Sequence, residues 1–253
     1  MENVVSRLIL LGRRGSDGRN LTHFATSSDT ATDKEFITFK MSEQDSNPSA
    51  ERLTHLLVDV GLHFLQISQN KQFTDYLSLI LRWNARTNLT SVRDPESILS
   101  RHFVESIACA HSLPSGIATL LDFGSGAGFP GIPISICRPD IAVTVAESQD
   151  KKSAFLQEAI RVTGIAAKVH AGRAQTLTTQ FDCVTLRAVD HMDRAVQAAA
   201  HLISPNGWLA LLTTKSDLPS LQTAAGPAFL WSELISLPGS ESRILALGRK
   251  PTT

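Results

Sequence analysis

Near the middle of the chain stands Leu120-Leu121-Asp122-Phe123-Gly124-Ser125-Gly126-Ala127-Gly128-Phe129-Pro130-Gly131. Apolar, strand-compatible residues run straight into glycines at alternate positions. This is the pattern of a buried strand ending in a tight turn that opens a helix. Glycine is needed where the backbone takes positive φ, or where a ligand lies against it with no Cβ between. Pro130 and Pro133 suit a helix's first turn, where a missing N–H costs nothing. The loop is a candidate cradle for a nucleotide-like ligand.

Two registers of the loop compete. Gly126-Ala127-Gly128-Phe129-Pro130-Gly131 satisfies the G-x-G-x-x-G dinucleotide pattern, a weak signal alone. Gly124-x-Gly126-x-Gly128, directly after Asp122, is the layout of an S-adenosylmethionine loop, and the register after the strand favours it. A glycine-rich turn holding no ligand is the third alternative.

Composition bounds the rest. At 253 residues the chain suits one ordinary domain plus extensions, and 42% hydrophobic with 19% charged residues describes a soluble globular protein. Formal net charge is zero, so any RNA binding must rest on a local patch. Cys109, Cys137 and Cys183 are isolated, with no C-x-x-C pair, which argues against zinc and against a disulfide framework. No metal site is expected, and a reducing cytoplasm is the default. No apolar run is long enough for a membrane helix.

Outward from the loop, the chain divides into three parts. Residues 1–47, with Arg7, Arg13, Arg14 and Arg19 among Ser, Thr and Gly, read as a disordered leader or as translated upstream sequence ahead of Met41. Residues 48–115 read as a helical cap. Leu53, Leu56, Leu57 and Val60 recur at helical spacing before Gly61. Phe73, Tyr76, Leu77, Ile80, Leu81 and Trp83 share one face of a second helix, and Asp94-Pro95-Glu96 starts a third. Residues 116–253 alternate strands (141–146, 166–170, 181–187, 207–212) with helices (151–162, 192–202), and a final pair falls at 229–237 and 242–247. Such alternation predicts an α/β fold, a mostly parallel sheet covered on both faces.

Glu147 ends the second strand after the loop, where a carboxylate hydrogen-bonds a ribose diol in doubly wound sheets. NAD and S-adenosylmethionine both present that diol, so the residue does not choose between them. The stretch from Gly172 to Gln175 lies where backbone N–H groups meet an adenine. Arg187 ends the fourth strand, at the reacting edge of the sheet. The Asn/Asp-Pro-Pro-aromatic run of amine methylases is absent there, and Leu186-Arg187-Ala188-Val189 stands instead. Cytosine-C5 methylation needs a cysteine nucleophile; Cys183 sits inside the strand and reads as core. Ring-nitrogen and small-molecule methylation survive. Arg82, Arg86, Arg93 and Arg101, with Lys151, Lys152 and Arg173, form a candidate phosphate-binding rim or an ordinary solvated face. His102 reads as a packed histidine.

Asn88-Leu89-Thr90-Ser91-Val92-Arg93-Asp94-Pro95, Arg101-His102 and the glycine loop through Pro133, with Trp83-Asn84, Arg138-Pro139 and Leu186-Arg187-Ala188, closely resemble the bacterial glucose-inhibited division protein B family. The resemblance covers about residue 50 to the C-terminus. It implies a Rossmann-like class I S-adenosylmethionine-dependent methyltransferase with a mostly parallel seven-stranded sheet. The implied reaction is methylation of guanine N7 in 16S ribosomal RNA or the small ribosomal subunit, by a cytoplasmic monomer. Cofactor contacts are implied at Gly124, Phe129, Ala174, Gln175 and Arg187, beside Asp122, Gly126, Gly128 and Glu147 from the loop and strand reading. Arg187 would orient the methionine end or the guanine, and Asn88 the splayed base. Arg93, Arg101, Lys151 and Lys152 are the RNA candidates. Gln175 stands where a Glu is common in the family. Thr213-Thr214-Lys215 stands where many members have Lys-Gly. Rival readings are an NAD-dependent oxidoreductase and a non-catalytic RNA-binding or ribosome-assembly module.

Overall fold

The computed structural model describes residues 8–14, 20–26, 47–62 and 65–252. Two compact units divide the chain, Met1–Asn47 and Pro48–Thr253. In the first, where a disordered leader is expected, β1 (Leu8–Arg14) pairs antiparallel with β2 (Asn20–Thr26), Leu8 opposite Thr26 and Arg14 opposite Asn20. The remaining residues before Asn47 lie outside the described ones.

The second unit opens with α1 (Pro48–Asp59), which buries Leu53 and Leu57 and ends where Gly61 takes φ +72°. In α2 (Ile67–Asn84), the Gln66 N–H donates to the Gln69 Oε1 at 2.9 Å across the first turn, and Phe73, Tyr76, Leu77 and Ile80 face inward. The loop that follows is braced by Asn84, whose Nδ2 donates to the Val92 carbonyl at 3.0 Å and whose Oδ1 accepts from the Thr90 N–H at 3.0 Å. Asp94 caps α3 (Pro95–Ser97) by accepting from the Ser97 N–H at 2.7 Å. This short helix runs on through a π-helical stretch, Ile98–Phe103, into α4 (Val104–Ser112). π-Helical turns are uncommon and gather at functional sites; this one carries Arg101 and His102.

The sheet begins with β3 (Thr119–Phe123), followed by α5 (Gly131–Cys137), β4 (Ala142–Glu147), α6 (Asp150–Thr163), β5 (Lys168–Ala171), β6 (Phe181–Arg187), α7 (Met192–His201), β7 (Ile203–Thr214), α8 (Leu218–Ala225), β8 (Leu230–Trp231), β9 (Ile235–Ser236) and β10 (Arg243–Arg249). Its order is β5-β4-β3-β6-β7-β10-β8, with β9 pairing β10 off that path. Strands β3 to β7 run parallel, whereas β10 is antiparallel to β7, β8 and β9. The mostly parallel sheet holds; its strand count is eight rather than seven, because the edge partner of β10 is broken into two short pieces by residues 232–234.

Successive residues of a strand face opposite sides, and the core shows it. Leu120, Leu245 and Leu247 join one apolar cluster with Phe73, Tyr76, Phe103 and Phe155; Leu121, Ile244 and Ala246 join a second with Val196, Leu221 and Phe229. The cap helices with α5 and α6 thus cover one face, and α7 with α8 the other. Cys183 is fully buried, as read. Among the described residues no helix is long and apolar enough to cross a membrane.

Candidate active site

Crossovers on both sides of a parallel sheet leave a crevice at the carboxyl ends of its strands. Here it is a cleft of about 1120 Å³, lined by the loop after β3, the ends of β4, β6 and β7, the turn after β5, and Arg243.

The glycine loop is held from below. Asp122, 1% exposed, accepts from the Ser125 hydroxyl and the Gly131 N–H (3.0 Å) through Oδ2, and from Thr185 Oγ1 (2.8 Å) through Oδ1. Burial raises its pKa while these donors oppose the rise. Asp122 therefore shapes the loop from beneath and is not among the residues that line the cleft. Gly128 also faces the cap. At φ +92°, a Cβ there would sit 2.5 Å from the Tyr76 Oη and 2.7 Å from Ile132 Cγ1, so this glycine serves packing. Gly124 and Gly126 do reach the cleft. At Gly126, φ +59°, a Cβ would meet nothing closer than the Gly124 carbonyl at 4.0 Å, leaving room for a ligand against the backbone.

Glu147 stands beside that space. Its Oε2 accepts from the Gly126 N–H at 3.0 Å and its Oε1 from the Gln149 N–H at 2.8 Å. A carboxylate has about four acceptor sites, so two remain for a ribose diol. Ala174 and Gln175, in the short turn after β5, line the same end of the cleft. These residues fit the nucleoside half of S-adenosylmethionine.

Arg187 ends β6 in the middle of the cleft. Its Nη2 donates to His102 Nδ1 at 2.9 Å and to Glu105 Oε2 at 2.8 Å, and its Cζ lies 5.9 Å from the centroid of the Phe129 ring. Because a guanidinium only donates, His102 Nδ1 is bare and the ring proton is on Nε2, facing Thr90 Oγ1 at 3.3 Å. Burial, then the nearby charge of Arg187, depresses the His102 pKa to about 3. His102 is packed on Phe129 at 4.9 Å between ring centroids, as read, but it also holds Arg187. Glu105, 1% exposed on α4, is shared: Arg243 Nε lies 2.5 Å from its Oε1, a charge contact without hydrogen-bond alignment.

Tyr76, Glu105 and Arg243 were missed in the sequence. Glu105 alone carried a signal, a single carboxylate in the apolar run 103–110. Asn88 and Lys151 line a neighbouring groove of about 320 Å³ instead of the cleft, with Arg86 beside them. Lys152 lines both, and Arg101 the cleft. Arg93 is exposed and donates to Asn88 Oδ1 at 2.7 Å. Among the described residues no cluster of His, Cys, Asp and Glu could hold a metal.

The all-parallel dinucleotide order lacks an antiparallel strand inserted near one edge; the order found here, with the loop and Glu147, defines a class I S-adenosylmethionine-dependent methyltransferase. The family model described as rRNA small subunit methyltransferase G matches residues 69–230. The chain belongs to that family, methyltransferases of small-subunit ribosomal RNA. It is 41% identical over 156 residues to the ribosomal RNA small subunit methyltransferase G of Xanthomonas euvesicatoria, covering 60% of this chain and 72% of that one. To the protein of the same name from Xanthomonas oryzae it is 39% identical over 182 residues, with coverage of 69% and 84%. The crystal structure of an O-methyltransferase from Bacillus cereus in complex with SAH shares the fold at a TM-score of 0.53 and 14% identity, over 78% of this chain and 96% of that one.

Proposed function

We propose that this enzyme methylates N7 of a guanine in small-subunit RNA, acting as a monomer in the cytoplasm. Bound S-adenosylmethionine supplies an electrophilic methyl group on a positively charged sulfur. Glu147 and the Gly126 backbone would hold its ribose, Ala174 and Gln175 would flank its base, and Phe129 and Arg187 would orient the methionine end toward the acceptor. Guanine N7 carries its own unshared pair, so no proton must be removed before it attacks. The site's task is then alignment, worth about 7–11 kcal/mol at best.

One observation carries the reading. Both protonatable groups against Arg187 are committed: His102 Nδ1 accepts from Arg187, and Glu105 is held between Arg187 and Arg243. Neither is free to serve as a base, and a ring nitrogen with its own unshared pair needs none from them. Asn88, in the neighbouring groove with Arg86, Lys151 and Lys152, supports a role for that groove in holding RNA beside the target. The test is methyl transfer to RNA carrying 7-deazaguanine, in which a C–H replaces N7. Transfer should vanish; undiminished transfer would place the methyl on another atom.

A further inference from the structure

We infer that Arg243 anchors a backbone phosphate of the RNA strand whose guanine is modified. The inference rests on the cleft being the methyl-transfer site and adds a residue to its acceptor side.

Arg243 opens β10 directly opposite Thr214 of β7, and both line the cleft. In the sheet it stands four strands from Glu147, along β4-β3-β6-β7-β10. At 4.7–4.9 Å per strand that is about 19 Å, so the group it serves is not the ribose held at Glu147. Arg187 stands between the two ends, on β6.

The guanidinium is oriented and incompletely used. Its Nε faces Glu105 Oε1 at 2.5 Å, and the side chain keeps 26% of its surface exposed. Of the five N–H donors of an arginine, four are on the two Nη atoms; among the described residues no acceptor takes them. Glu105 is already shared with Arg187, so two guanidinium groups face one carboxylate and a positive charge is left over. A fork of donors with surplus positive charge matches a phosphate.

A phosphate fits better than the guanine edge. Methylation leaves N7 positively charged, and a guanidinium laid against N7 and O6 would oppose that charge as it develops. A phosphate one bond network away carries no such cost.

The experiment measures RNA affinity across a salt series for wild type, Arg243→Gln and Arg243→Lys, with S-adenosylmethionine affinity by calorimetry and a thermal melt for each. Losing one phosphate contact should shrink the slope of log K against log[salt] by about 0.7–0.9 and weaken RNA binding about tenfold in Arg243→Gln. Arg243→Lys should keep the slope, and cofactor affinity should hold in both. An unchanged slope in a folded Arg243→Gln overturns the proposal, as does a loss confined to the cofactor. Should the wild type methylate 7-deazaguanine RNA, the N7 reading fails while the slopes still judge Arg243.

Discussion

Tyr76, in the middle of α2, donates its hydroxyl to the carbonyl of Ala127 inside the glycine loop, across 51 residues of sequence. The ring is fully buried, stacked on Phe103 at 5.4 Å between centroids and tilted against Phe129 at 5.5 Å. The cap therefore forms the floor of the cofactor loop. A buried carbonyl left without its donor costs about 1–3 kcal/mol. Tyr76→Phe should lose that much in urea denaturation and weaken S-adenosylmethionine binding, because the loop's middle residue is freed. Unchanged stability and cofactor affinity would separate the cap from the loop.

The glycines of the loop should separate by role. Gly128→Ala drives a methyl into Tyr76 and Ile132 at a positive φ, and it should unfold the protein or cost several kcal/mol. Gly126→Ala has room beside it but occupies the space along the backbone at φ +59°. A left-handed alanine costs about 1–2 kcal/mol, so this variant should fold and lose cofactor affinity out of proportion to its stability. Equal effects of the two on melting temperature would contradict the assignment.

Glu105→Gln removes the charge that Arg187 and Arg243 share. Breaking a buried pair by removing one partner costs about 3–5 kcal/mol. Denaturant titration should show a loss of that order, and single-turnover methylation by the surviving folded protein should slow as Arg187 loses its fixed position. A variant as stable and as fast as wild type would show that Glu105 holds neither guanidinium.

His102 makes a pH prediction. Its folded pKa, about 3, lies below the ordinary 6.5, so the folded state favours the neutral ring. Below about pH 6.5 the unfolded chain takes up a proton that the folded protein refuses. The stability contributed is therefore complete above pH 6.5 and is lost as the pH falls toward 3, at up to about 1.4 kcal/mol per pH unit. Measured between pH 6 and 4, His102→Gln should show a shallower fall in stability than wild type. Parallel curves would mean that the ring is protonated in the fold.

What the sequence made legible followed periodicity and local chemistry. The strand into the glycine loop, the Asp94 cap, the alternation from β3 to β7 and the carboxylate ending β4 all rest on residues a few positions apart, and all are found. Tyr76 was legible as core, but its hydroxyl's partner was not, because that bond depends on how α2 lies under the loop. Asp122 and Gly128 sit inside a motif that reads as ligand-binding throughout. Their inward direction is set by Gly131, Thr185 and Tyr76, which no spacing rule connects. Arg243 carried no signal, since its meaning comes from a strand inserted antiparallel beside β7 and from Glu105, far away in the chain.

Methyl transfer to N7 of a small-subunit guanine, with Arg187 orienting the reacting groups, has a cellular readout. It is mass mapping of 16S ribosomal RNA from cells lacking the gene and from the same cells complemented with wild type or Arg187→Ala. One N7-methylguanine should disappear without the gene, return with wild type and stay absent or strongly reduced with Arg187→Ala. A methylation pattern unchanged by deletion would mean that this enzyme does not modify that guanine, and full restoration by Arg187→Ala would mean that Arg187 orients neither group.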